Sequence, residues 1–329
     1  MTNIPLSLLD LATVDEEGGI GAALRHSVDL ARTAEHSGYR RVWYAEHHNM
    51  PSIASSATAV LIAHVAAHTD RIRLGAGGVM LPNHSPLVIA EQFGMLAELH
   101  PERIDLGLGR APGSDMATFR AMRRSPGASD SFPSDVLELQ QLLSEDLPRT
   151  AVNAYPGRGT RVPLIILGSS LFGANLAAQL GLPYAFASHF APQALTAAVR
   201  HYRDNFTPSE THPTPHVIAA VNVVAAETDA EAEALFAHAE RDRVRRFLSR
   251  GRDRDLTPEE AESLFDTPAA REIRGMLHYT AAGGPERVRN ELAAFAEHAE
   301  ADELMTIHPV PGRAEQLTSV RLASPLAIQ

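Results

Sequence analysis

Arg41-Val-Trp-Tyr-Ala-Glu-His-His-Asn-Met50 is the stretch that sets the fold. Residues 41–45 read as a short buried strand, and Glu46-His47-His48-Asn49 leaves its C-terminal end. A carboxylate, two imidazoles and an amide crowded together make poor core and poor surface. They suit a site, because residues at the C-terminal ends of parallel strands converge on the pocket of an α/β fold.

Outward from this stretch, strand and helix alternate. Upstream, residues 4–9 form an apolar strand ending at Asp10, and an amphipathic run over 20–37 is stopped by Gly38. Downstream, a helix over 55–68 leads to a strand over 71–75, which runs into Ala76-Gly77-Gly78. A helix over 86–100 precedes a strand over 104–109, ending at Arg110. Strands over 162–167, 183–188 and 216–225 follow with helices between them, and 303–307 makes an eighth. Eight strands with intervening helices predict a (β/α)8 TIM barrel. The polar stretch 111–133 and the charged stretch 251–284 read as insertions at the barrel mouth and as candidate lids. The expectation is a single domain over 1–329.

The 329 residues are 44% hydrophobic and 21% charged, the balance of a globular chain able to bury a large core. No apolar run reaches the roughly 18 residues of a membrane span. The N-terminus lacks the basic and then apolar pattern of a signal peptide, so a cytoplasmic protein is expected. A net charge of −11 argues against nucleic acid as a partner. The densest basic run, 241–254, is interleaved with Asp242, Asp253 and Asp255 and reads as a solvated helix and loop.

Two absences narrow the chemistry. There is no cysteine, which removes disulfides and thiolate catalysis, and all 29 basic residues are arginine. Schiff-base and pyridoxal-phosphate chemistry both need a lysine amine and are excluded. What remains is histidine, carboxylate, a metal or a bound cofactor.

Glu46-His47-His48 suits general acid/base work. A metallohydrolase barrel usually adds a second imidazole cluster after its first strand, where this chain has Leu8-Leu9-Asp10, so no metal is expected. Gly75-Ala-Gly-Gly78 is not a nucleotide fingerprint. Its paired glycines read either as a tight turn or as a close approach for a flat ligand. Gly168-Ser169-Ser170, just before a helix, suits a phosphate held by backbone amides and the helix's positive end. The alternative is a serine cap worth about 1 kcal/mol. Arg110 offers an opposing guanidinium or a surface salt bridge. Together these groups point to a phosphorylated cofactor. Asp10, His48, His189 and Phe190, all at strand ends, are candidates for the substrate pocket.

Trp43-x-x-Glu46-His47-His48, Leu74-Gly-Ala-Gly-Gly-Val-Met-Leu-Pro82 and Asp105-Leu-Gly-Leu-Gly-Arg110 resemble, in order and spacing, the bacterial luciferase-like flavin monooxygenases. The resemblance continues through Leu167-Gly-Ser-Ser170, residues 177–183 and Gly284-Pro-Glu-Arg-Val288, covering nearly the whole chain. Residues 45–50, 81–86 and 108–114 are similar to a bacterial branch that includes tailoring oxygenases of polyketide pathways. The resemblance implies reduced FMN (FMNH2) in the barrel mouth, reacting with O2 through a flavin C4a-peroxide to oxygenate a small organic substrate. By position it makes His47 the catalytic histidine, with Glu46 or Asn49 orienting it. Ala76, Gly77 and Gly78 become flavin contacts, with a cis bond at 77–78. Arg110, Ser169, Ser170 and Gly173 match phosphate-contacting positions, with Gly168 beside them.

Two departures from the pattern matter. Gly109 stands where luciferase has a reactive cysteine, so light emission is not implied. No second phosphate-binding arginine lies near Ser134, which implies weak, transient flavin binding and FMNH2 supplied by a separate flavin reductase. The family also implies a homodimer packed through the helices of the second and third β/α units, where Ala57, Ala59, Ala63, Ala66 and Ala67 permit close contact. Two other readings stay open: a deazaflavin-dependent hydride-transfer oxidoreductase, and a non-catalytic flavin-binding barrel.

Overall fold

The computed structural model describes residues 4–15, 18–111, 116–125, 127–149 and 151–324. Its strands are β1 (Leu6–Asp10), β2 (Arg41–Tyr44), β3 (Arg73–Met80), β4 (Ile104–Gly109), β5 (Leu164–Gly168), β6 (Tyr184–Phe186), β7 (Val217–Ala225), β8 (Thr280–Gly283) and β9 (Glu303–Ile307). Each of β1 to β7 pairs in parallel with the next, β7 pairs with β9, and β9 returns to β1. Eight strands therefore close a TIM barrel. The ninth, β8, hangs from the outer half of β7 alone, with Asn222 facing Thr280 and Ala225 facing Gly283.

The helices run α1 (Gly19–His36), α2 (Thr58–Ala66), α3 (Pro86–Leu99), α4 (Met116–Ala121), α5 (Phe132–Leu143), α6 (Leu171–Leu180) and α7 (Leu195–Asp204). After β7 come α8 (Asp229–Ser249), α9 (Pro258–Ser263) and α10 (Pro268–Gly275), then α11 (Pro285–His298) and α12 (Arg313–Leu322). Strand side chains alternate between two cores. Leu8, Val42, Leu74 and Leu106 point outward into the helix layer. Leu9, Trp43, Ile165, Ile218 and Met305 fill the barrel interior. Gly38, at φ 79°, ends α1 as the sequence predicts, because only glycine takes that conformation without steric cost. No described helix is long and apolar enough to cross a membrane.

The stretch 251–284, read as a charged insertion, has secondary structure of its own. It contains α9, α10 and the strand β8. Thr257-Pro258-Glu-Glu260 forms a full capping box with proline in the first turn, and at α10 the Thr267 hydroxyl accepts the Ala270 N–H, with Pro268 in the first turn. Those motifs were readable signals of helix starts. In the other excursion, 111–133, residues 112–115 and 126 lie outside the described residues.

The foot of the barrel, opposite the mouth, is ionic. Arg41 is buried between Asp105, at 2.7 Å, and Glu303, at 2.9 Å. Arg73 reaches Asp105, and the Ser7 hydroxyl donates to Glu303. Burial alone would raise the Glu303 carboxyl, but the hydrogen bond from His216 and the Arg41 charge hold it at about 2. A carboxylate depressed in the folded state stabilises above its unfolded value, near 4.5, and that contribution fades as pH falls from there toward 2. The loss is on the order of 3 kcal/mol. Urea unfolding across this window should show the slope, and Glu303→Gln should flatten it.

Candidate active site

The end of β2 is held rigidly before it opens into the mouth. The Ser55 hydroxyl meets the Ala45 carbonyl, and the Ser55 carbonyl accepts the His47 backbone N–H at 3.2 Å. Asn49, at φ 54°, then turns the chain away, a conformation that asparagine tolerates better than most residues. His47 is half-buried over the mouth. Its pKa is lowered, first by burial and then by the Arg250 charge, so the imidazole is uncharged near neutrality.

Glu46 does something other than orient His47. One of its oxygens accepts from His48 Nε2 at 2.7 Å and from His84 Nε2 at 2.8 Å. The other accepts the Met80 backbone N–H at 3.1 Å. These hydrogen bonds, led by His48, outweigh burial and lower the Glu46 pKa, while Glu46 in turn raises that of His48. The buried carboxylate thus staples the end of β2 to the end of β3. Its three ligand atoms lie within 4.8 Å of one another, the donor set of a cation site, but they are engaged with each other. His84 went unassigned in the sequence reading, although its place two residues after Pro82 at a strand end was visible.

Beside this staple, β3 slips register against β4 between Ala76 and Val79, and the Gly77–Gly78 bond is cis, as the resemblance implies. A Cβ on Gly77 would lie 2.9 Å from Leu9 Cδ1 and Trp43 Cβ, and one on Gly78 would lie 2.6 Å from the Gly107 carbonyl oxygen. Both positions therefore need glycine, and they leave bare, half-exposed backbone at the mouth. Ala76 is different. Strand alternation turns its fully buried side chain into the helix layer, away from any cofactor.

On the β5 side, α6 begins at Ser170, whose hydroxyl makes no cap hydrogen bond. Its first-turn amides thus keep their partial positive charge for another acceptor. Gly173 sits so close to Tyr184, 3.2 Å from where a Cβ would be, that the helix start packs tightly beside Gly168. Arg110 stacks over Phe172 in that first turn, 4.1 Å from the ring centroid. Ser169, Ser170 and the helix start therefore lie with Arg110 on one part of the rim.

The substrate-pocket candidates divide. Asp10 is spent elsewhere: its oxygens accept from the Ser27 hydroxyl and the Ala12 N–H, and burial raises its pKa. It holds a turn against α1. His48 is committed to Glu46. His189 and Phe190 do reach the mouth, edge to face at 4.8 Å. Burial, and then the Arg243 and His47 charges, bring the His189 pKa down to about 3. The basic run on α8 also needs correction. Arg241 and Arg246 are solvated, but Arg243 is half-buried and electrostatically coupled to His189.

A TIM barrel by itself names no activity, and comparison with known proteins supplies the family. The chain belongs to the luciferase-like monooxygenase family, whose profile matches residues 4–302. It is 46% identical over 323 residues to a luciferase-like monooxygenase of Escherichia coli K12, covering 97% of this chain and 96% of the relative. It is 33% identical over 333 residues to an N-acetyl-S-alkylcysteine monooxygenase of Bacillus subtilis, covering 98% and 97%. Among solved structures, apo-MsnO8 superposes with a TM-score of 0.86 at 37% identity, covering 99% of both chains. Barrels alike in fold alone include a 3,6-diketocamphane monooxygenase in complex with FMN, at 15% identity, and an F420-dependent secondary alcohol dehydrogenase, at 14%.

Proposed function

We propose that the protein takes reduced FMN from a separate reductase and uses it with O2 to oxygenate a small organic substrate. The observation that carries this reading is Arg110 stacked at the uncapped start of α6 beside Ser169 and Ser170, a phosphate seat on the same rim as the bare backbone of Gly77 and Gly78. Bound there, reduced FMN would supply the electrons that activate O2. The chain's own part is positional. Arg110 and the α6 amides hold the phosphate, and the two glycines let a flat ring lie against β3. His47 keeps an uncharged imidazole ready to accept or return a proton at the mouth.

Anaerobic mixing with reduced FMN, followed by O2 in a stopped-flow spectrometer, tests the reading. Flavin reoxidation slower than for free FMN, and coupled to substrate, is expected. Tight binding of reduced F420 with O2-independent turnover would replace this reading with hydride transfer. Arg110→Ala is expected to weaken FMN binding roughly 10- to 100-fold, the loss of a charge-assisted contact, as measured by fluorescence titration. The homodimer contact is proposed for α2 and α3, which expose Val60, Val88, Met95 and Leu99. Sedimentation of the purified protein checks it.

A further inference from the structure

Helix α8 and its cap carry five arginines, and three of them have carboxylate partners. Arg241 meets Glu262 at 3.0 Å, while Arg245 and Arg246 meet Asp242 at 3.2 and 2.6 Å. Arg243 and Arg250 make no ion pair or hydrogen bond with any described residue, and Asp242, the carboxylate that bears on Arg243, has its oxygens on the other two. The unpaired residues are seven apart, two helical turns, so they share one face of α8. That face looks into the mouth. The Arg243 and His47 charges bear on His189, and the Arg250 charge bears on His47. His47 follows β2 and His189 follows β6, which stand opposite in the eight-strand ring. The two arginines are thus within electrostatic reach of imidazoles on opposite sides of the mouth.

Among the described residues this arrangement has no counter-charge. Arg243 is half-buried, and burial with the Arg246 and Arg250 charges pushes its pKa down to about 10. Among the described residues the partner of Arg250 is the Phe247 ring, 3.9 Å away. The His189 Nδ1 is buried without a hydrogen-bond partner. Two guanidinium groups beside uncharged imidazoles make a hole for one anion, with Phe190 as an apolar wall beside it. The fork of an arginine matches a carboxylate or a phosphate in bidentate fashion, and a carboxylate is the smaller of the two and carries a single charge. The FMN phosphate has its own seat at Arg110 and α6, on a different part of the rim.

We propose that Arg243 and Arg250 bind a carboxylate on the substrate, so that the protein acts on an organic acid with an apolar body. The substrate role rests on the monooxygenase reading, whereas the anion site is a property of the protein alone. Calorimetric titration of the full-length protein, with and without FMN, compares hexanoate and phenylacetate with hexanamide and phenylacetamide. Each acid is expected to bind about tenfold or more tightly than its amide. Arg243→Gln and the exposed Arg250→Gln should each remove that preference and leave FMN affinity unchanged, and Arg246→Gln should keep it. Equal binding of acid and amide, no acid binding, or a preference that survives both substitutions overturns the site. Loss of FMN affinity in these variants would reassign the arginines to the cofactor and also overturn it. Acid binding as expected, in a protein that binds no flavin, would leave the anion site standing and bring down the proposed function.

Discussion

Arg41→Ala is expected to destabilise the protein by about 3–5 kcal/mol, the usual result of removing one partner from a buried ionic cluster. Arg41 lies between Asp105 and Glu303, both almost wholly buried, and Trp43 Nε1 adds a longer contact to Asp105 at 3.3 Å. Removing the guanidinium leaves two buried carboxylates at the barrel foot, with Arg73, Arg40 and His216 at the edge as the remaining positive or donating groups beside the Ser7 hydroxyl and Trp43 Nε1. Typical domains have only about 5–15 kcal/mol in total, so much of the margin goes. Pairing Arg41→Met with Glu303→Gln should recover part of the loss, because it removes a stranded charge as well as the cation. Urea denaturation at neutral pH measures both variants. An Arg41→Ala protein as stable as the parent would mean that water reaches the foot and screens it.

The second large effect is on turnover. His47→Gln should lower kcat by roughly 10²–10⁴, the usual contribution of a positioned acid/base. FMN affinity should hardly change, because the phosphate seat lies on β4, β5 and α6. Since His47 is held below the ordinary histidine value, its basic form persists on the acid side of neutrality. The acid limb of the kcat profile is therefore expected below about pH 6.5. Arg250→Gln removes a repelling charge and should move that limb upward, toward the value of a free histidine. A profile that ignores Arg250 would place the titrating group elsewhere.

The barrel was legible because its signals are periodic. Strand and helix alternate over most of the chain, and β4, α3 and β9 lie within a residue of where apolar runs and stop signals put them. Strand β8 escaped because Thr280-Ala-Ala-Gly283 is four small residues with no apolar pattern. The paired glycines of β3 and the serines before α6 were also readable, since only special backbone or free amides justify them. The side-chain partnerships were not. Glu46 is next to His47 in sequence, yet its oxygens reach His48, His84 and the Met80 amide, which depends on how two strand ends meet in space. The inward arginines of α8 were hidden for a related reason. A run of mixed charge looks solvated until the packing of the helix shows which face is turned inward.

The path of β7 has an evolutionary consequence. The chain leaves the barrel after Ala225 and returns alongside β7 as β8, whose last residue, Gly283, faces Ala225, and the Ala226 N–H donates to the Gly283 carbonyl at 3.2 Å. Everything between, including both inward arginines, thus begins and ends about 4.8 Å apart. Such a segment is exchangeable. A relative's segment with different charges facing inward joins the same two anchor points without disturbing closure, the ionic foot or the phosphate seat. Substrate choice on this scaffold is free to diverge as a replaceable cassette, while the cofactor half of the mouth stays fixed.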